Sequence, residues 1–169
     1  MRKNFYFSKT QLSVVKMLYE KKNIRVLPED TDAYGRLNWL TYLRYCEEGE
    51  VGIFEKMGFN HYRFYKERKI SFPRRAASFD YCSQVPPDSL IDIETTFKKI
   101  GKTSFTLLHS FYKKRTEESE RILAATAEVT AVAYNDQLYQ KTDLPPELKQ
   151  IIKINDPAEP NRKRPQCTP

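Results

Sequence analysis

The residues best placed to do chemistry lie in the run Glu29-Asp30-Thr31-Asp32-Ala33-Tyr34-Gly35-Arg36-Leu37-Asn38-Trp39-Leu40-Thr41-Tyr42-Leu43-Arg44-Tyr45. It sets carboxylates in a loop directly before a helix start. The first turn of a helix carries N–H groups without helical partners and a partial positive charge. Such groups can hold the oxygen of a carbonyl under attack, while Asp32 attacks that carbonyl or activates a water. The same residue types also shape turns and cap helices, and taken alone that is the commoner use of such carboxylates. Other reactive types are scarce. Two histidines, His61 and His109, are too few for a usual zinc set, so no metal site is expected. His109 shares an apolar strand face with Phe105 and Phe111 and reads as a packed core or interface residue. Cys46, Cys82 and Cys167 form no CxxC pair, which points to free thiols at Cys46 and Cys82 and to a reducing cytoplasm.

The elements that must position these residues are legible in the pattern. Ile24 to Leu27 is a short apolar run stopped by Pro28, a strand. Trp39, Tyr42, Leu43, Cys46, Gly49, Ile53, Phe54 and Met57 recur at helical spacing, with Asn38 as N-cap and Gly58 at the C-terminal end. Gly49 lies on the apolar stripe. Since glycine costs a helix roughly 1 kcal/mol relative to alanine, close approach of another element is the expected reason for it. Beyond a basic stretch, Arg63 to Arg75, the period changes to two. Phe79, Tyr81 and Ser83 alternate up to the turn Pro86-Pro87-Asp88. Ile91, Ile93, Thr95 and Phe97 follow, then a hairpin at Gly101, then Phe105, Leu107, His109 and Phe111. Ile122 to Tyr134 is alanine-rich but reads as a strand, because Thr126, Val129, Thr130 and Val132 are β-branched and its small residues share one face. Pro145-Pro146-Glu147 opens a short last helix ending near Ile152. One long helix after the first strand of an antiparallel sheet is an α+β layout.

The whole chain has 169 residues, 40% hydrophobic and 13% aromatic, enough for one domain with a sizeable core. No apolar run approaches the length of a membrane span, and no signal peptide is expected. The net charge of +7 comes from 29 basic and 22 acidic residues and is concentrated at the ends. Residues 1–25 carry a net of +6, residues 158–169 a net of +2, and the stretch between is within one charge of neutral. A nucleic-acid-binding domain would hold its excess in the folded body, so no nucleic-acid partner is expected. The expected divisions are a basic N-terminal arm over 1–22, a folded domain over 23–154 and a loose, Pro-rich basic tail over 155–169. A short amphipathic spacing at Leu12, Val15, Leu18 and Tyr19 suggests a surface helix within the arm.

The segment resembles the active-site region of the hotdog-fold acyl-CoA thioesterases of the 4-hydroxybenzoyl-CoA thioesterase family. The matching residues are Asp30-Thr31-Asp32, Gly35, Asn38, Tyr42-Leu43-Arg44-Tyr45 and Glu47-Glu48, then Ser104-Phe105 after the Gly101 hairpin, and Leu144-Pro145. The resemblance spans about residues 23–152. It implies a hotdog fold, an antiparallel sheet wrapped around one central helix. It also implies hydrolysis of an acyl-CoA or acyl-carrier-protein thioester, with coenzyme A as part of the substrate and no other cofactor. Asp32 takes the place of the nucleophile or general base, and the Trp39 backbone N–H that of the group polarising the carbonyl. Gly35, Asn38 and Tyr42 border the substrate, and Lys102, Thr103 and Ser104 meet the coenzyme A end. Self-association to a dimer or tetramer is implied as well. The chain departs from many members at Arg36 and Trp39, and the bulk of Trp39 bears on the shape of the acyl pocket. A non-hydrolytic acyl-thioester binder or a hydratase-type hotdog protein is the alternative, and a basic surface module built on residues 1–25 a more distant one.

Overall fold

Eighteen residues from Trp39 to Lys56 form the long helix α1, started by Asn38, whose side chain accepts the Leu40 N–H at 3.0 Å. After the helix ends at Met57, Gly58 turns the chain away at φ +72°, where a side chain would be strained. The structure, a computed structural model, describes residues 18–155 and 164–167. Strand β1 (Leu18–Arg25) precedes the helix, and β3 (Arg74–Tyr81), β4 (Leu90–Ile100), β5 (Ser104–Lys114) and β6 (Ile122–Val132) follow it. They make one antiparallel sheet in the order β1-β4-β5-β6-β3, with α1 laid across one face. This is the α+β arrangement expected from the sequence.

Helix and sheet meet through alternate strand residues. Ile53 and Phe54 of α1 pack with Phe97, Phe105 and Leu107 at one end, while Tyr42, Tyr45 and Cys46 pack with Ile91, Ile93, Phe111 and the buried alanines of β6 at the other. Each fully buried Phe or Ile contributes about 1.5–3 kcal/mol relative to leaving it in water. Between the two clusters Gly49 crosses the sheet so closely that a Cβ there would overlap the Thr95 hydroxyl. The small face of β6, with Ala125, Ala127 and Ala131 fully buried, accommodates the helix in the same way.

Three details differ from the sequence reading. β1 begins at Leu18, inside the segment expected to be an arm, because Leu18 to Lys21 pair with Ile93 to Thr96 of β4 and the Tyr19 ring closes over Gly52. Leu12 and Val15 lie outside the described residues. Within the basic stretch, His61–Arg68 is a helix, α2, capped by Asn60. Ile70–Ser71 (β2) joins Tyr134–Asn135 (β7) and Gln140–Lys141 (β8) in a small second sheet. The last helix, α3 (Pro146–Asn155), buries Leu148 and Ile152 against the first core cluster.

The cysteine expectation is corrected. Cys82 is bonded to Cys167 and is not a free thiol, whereas Cys46 is free and buried. The described part of the tail is therefore not loose, because Arg164 is hydrogen-bonded to the sheet and Cys167 is tied to the end of β3. Among the described residues no helix is long and apolar enough to cross a membrane, and no group of side chains could hold a metal ion.

Candidate active site

Asp32 sits in a loop closed by the bridge between Thr31 and Leu37. The Asp32 N–H donates to Arg36 O at 2.7 Å, and the Gly35 N–H returns to Asp32 O at 3.0 Å. Gly35 is at φ +68°, which keeps this tight return free of side-chain strain. The Asp32 carboxylate accepts from the Tyr34 N–H at 2.8 Å and the Arg36 N–H at 3.1 Å, and the Arg36 guanidinium lies 3.4 Å from its other oxygen. Partial removal from water opposes its ionisation. The Arg36 and Tyr34 amides and the Arg36 charge outweigh that, and the carboxyl is held below the usual range. A side chain about a third exposed (31%) and anionic at neutral pH is thus held in one orientation. The turn-shaping use of the carboxylate and its availability for chemistry coexist.

Asp30 fastens this loop to the helix start. Its carbonyl accepts the Asn38 N–H at 2.8 Å and the Thr41 hydroxyl at 3.1 Å, and its carboxylate holds the Leu27 N–H and Arg44. Asn38 occupies the N-cap, so its side chain takes the Leu40 amide and its carbonyl the Thr41 amide. The Trp39 N–H, first in the helix, has no partner among the described residues, and its indole is exposed. A free amide at a positive helix end and, in the loop before it, an oriented carboxylate are the two kinds of group that polarise a carbonyl and attack it.

The other expected site residues are distributed differently. Tyr42 is packed in the core against Phe111 and Tyr81, with ring centroids 5.1 and 5.4 Å away, and burial raises its phenol. Lys102, Thr103 and Ser104 form the β4–β5 turn. There the exposed Lys102 side chain lies 3.8 Å from Asp143, and the carbonyls of Lys102 and Thr103 hold Leu144 and Ala133. The Asp32 loop is anchored instead at the opposite end of β4, where Leu37 bonds to Val85 and Val26 to Ser89. At about 3.3 Å per residue, the length of β4 puts roughly 30 Å between the two groups within one chain. One chain alone does not bring them together.

A polar cluster under α1 was not anticipated. Glu50 is 2% exposed, with Oε2 3.0 Å from Arg74 of β3 and Oε1 4.0 Å from His61. Glu50 Oε1, His61 Nε2 and His109 Nε2 are buried and have no hydrogen-bond partner among the described residues. Burial pushes the Glu50 carboxyl up to about 7 against the opposing pull of Arg74, and lowers His61 to about 4 and His109 to about 3, so both imidazoles stay neutral. Burial also raises the Cys46 thiol to about 12. Glu50, Arg74, Cys46, Leu43, Glu47 and Ala77 help to line a cavity of 330 Å³ between α1 and β3. Its sequence signal was a carboxylate on the buried side of α1, next to Gly49. His109 donates to or accepts from Thr95 at 2.9 Å and is a core residue, as expected.

The family model of the thioesterase-like superfamily matches residues 26–152, which include both the Asp32 loop and the β4–β5 turn. The chain belongs to the thioesterase-like superfamily. Its fold is the hotdog fold, and thioester hydrolysis is its activity at the level of the family. Among solved structures, this thioesterase-like chain resembles 4-hydroxybenzoyl CoA thioesterase from Pseudomonas sp. strain CBS-3 (TM-score 0.71, 22% identity, 79% of this chain and 98% of that one). It also resembles Slr0204, a 1,4-dihydroxy-2-naphthoyl-CoA thioesterase from Synechocystis (TM-score 0.65, 18% identity, 80% and 93%). By sequence it is 27% identical over 77 residues to the acyl-CoA thioesterase YbgC of Haemophilus influenzae, 46% of this chain and 57% of that protein. It is 26% identical over 130 residues to the 1,4-dihydroxy-2-naphthoyl-CoA hydrolase of Rippkaea orientalis, 77% of this chain and 92% of that protein.

Proposed function

We propose that this protein hydrolyses an acyl-CoA thioester to the free acid and coenzyme A, with Asp32 as nucleophile or general base. The observation that carries the reading is the anionic, oriented Asp32 in the loop before a helix whose first N–H, that of Trp39, has no partner among the described residues. The thioester carbonyl oxygen accepts from Trp39 N–H. Asp32, or a water that it deprotonates, adds to the carbon, and the C–S bond breaks to release the thiolate. If Asp32 adds directly, water then cleaves the mixed anhydride. In other enzymes losing a single oxyanion donor costs about 3–4 kcal/mol. Gly35 and Asn38 shape the approach to the carbonyl, and Tyr42 backs it from the core. Acyl carrier protein is the alternative thiol carrier. Relatives named for aromatic acyl-CoA substrates make aryl thioesters the first to try.

Lys102, Thr103 and Ser104 meet the coenzyme A end, and we assign them to the site of a second copy of the chain. Two features support a homodimer. The separation along β4 keeps the two half-sites apart in one chain, and α1 exposes Trp39, Leu40 and Val51 while the edge strand β3 exposes Tyr81. A cytoplasmic setting suits a coenzyme A thioesterase, and the Cys82–Cys167 bond then requires an oxidising phase for part of the protein's life.

Asp32→Asn keeps the turn-forming oxygen and removes the charge. Thiol release from a panel of acyl-CoAs is expected to fall about a thousandfold in kcat, with unfolding by urea little changed. Wild-type activity in the variant would overturn the mechanism. Acyl-CoA binding without thiol release by the wild type would favour the non-hydrolytic alternative.

A further inference from the structure

The segment Arg164–Cys167 takes no part in the candidate site, yet it is docked on the molecule by two different kinds of bond. On the face of the sheet opposite α1, the Arg164 guanidinium donates from Nε to Thr126 Oγ1 at 2.6 Å and from Nη2 to Thr126 O at 2.6 Å. It reaches Ser78 O at 3.2 Å and Ser78 Oγ at 3.3 Å, and lies 3.1 Å from the Asp80 carboxylate. A planar guanidinium spread over two strands is a geometry-specific anchor, not a passing surface charge. Three residues later Cys167 closes on Cys82, the residue directly after β3, across 85 positions of sequence. Arg164 to Cys167 line a groove of 1120 Å³ together with Phe79, Asp80, Tyr81 and Lys98.

We propose that Arg164–Cys167 is a strap over β3 and β6 that a dithiol releases by exchange with the Cys82–Cys167 bond, uncovering the sheet face beneath it. Cys167 is exposed and Cys82 half-buried, so the bond is open to an incoming thiolate at the Cys167 side. The thiolate attacks Cys167 Sγ and displaces Cys82 as a thiolate, which takes up a proton. The second thiol of the dithiol then displaces Cys167, leaving two protein thiols and the oxidised dithiol. With the bond intact the guanidinium is confined near its acceptors. Without it the segment is held from one side only, and its effective concentration at the sheet falls. Because β3 is an edge strand and Tyr81 packs on Tyr42 of α1, release loosens the strand that backs the helix carrying the candidate site.

The test uses the full chain, oxidised with glutathione disulfide or reduced with dithiothreitol. Mass tagging of thiols and hydrogen exchange are followed together. In the oxidised protein only Cys46 is expected to be a free thiol, and it tags only after unfolding. Reduction is expected to expose Cys82 and Cys167 to tagging and to speed exchange in residues 74–82 about tenfold, with the β4–β5 hairpin unchanged. Cys82→Ser should reproduce the fast exchange without reductant, and the unchanged hairpin shows that it is folded. Free thiols at Cys82 and Cys167 after oxidation would overturn the proposal. So would exchange rates that do not respond to reduction.

Discussion

The hydrogen bonds of Asp32 to the Tyr34 and Arg36 amides are those of an ordinary turn, yet the same bonds keep its carboxylate ionised and in one orientation. Glu50 is the opposite case. It is buried, pushed from 4.5 to about 7, and compensated by one arginine. A carboxyl raised on folding binds its proton more tightly in the native state, so its contribution to stability declines as pH rises from 4.5 to 7. Glu50→Gln removes that dependence. Between pH 4.5 and pH 7 the variant is expected to gain roughly 2 kcal/mol relative to wild type, read as the difference in urea unfolding free energy. Parallel pH profiles for the two proteins would show that Glu50 ionises normally. The carboxylate-bearing loop before the helix was legible in the residue types, but the Glu50 cluster was not. Its members come from α1, α2, β3 and β5, and only folding brings them around Arg74.

At the scale of elements, α1 is fixed to the sheet by what it lacks at Gly49. Gly49→Ala places a methyl group onto Thr95 and beside His109, both fully buried. Alanine favours the helix by roughly 1 kcal/mol, whereas overpacking costs about 1–3 kcal/mol. The net expectation is a loss of up to about 2 kcal/mol, checked by chemical denaturation; a stabilised variant would show that helix and sheet can separate here. Strand β1 shows where element reading stops. Its residues Leu18 to Lys22 are too polar and too short a run to declare a strand, and β4 makes them one by supplying ladder partners. α2 and the small sheet were hidden for a related reason. Charged residues dominate α2, and the strands of that sheet have two residues each, too few for a period.

For the whole molecule, the separation of the Asp32 loop from the β4–β5 turn makes a sharp expectation for the dimer. Asp32→Asn and Lys102→Glu chains, each impaired alone, are mixed after unfolding and refolded together. If each site takes Asp32 from one copy and Lys102 from the other, random pairing makes half of the dimers mixed, each with one intact site. Activity should then recover to roughly a quarter of wild type. No recovery would place both groups in the same copy or exclude the dimer. Of the basic ends, Lys21, Lys22 and Arg25 belong to β1, and the charge of Arg164 is spent on the sheet and not on solvent.

The sequence by itself determined the class of fold, the long helix, the hairpins and the tight, carboxylate-bearing loop before that helix. All of these follow from local periodicity, turn chemistry and a motif contained within a few turns of chain. Only the tertiary structure decided that Cys82 is joined to Cys167, that Glu50 is buried beside Arg74, and that the two expected half-sites lie at opposite ends of β4. Each of these depends on residues far apart in sequence meeting in space. Periodicity carries no record of such meetings, because it reports which face a side chain occupies and not what lies across from it.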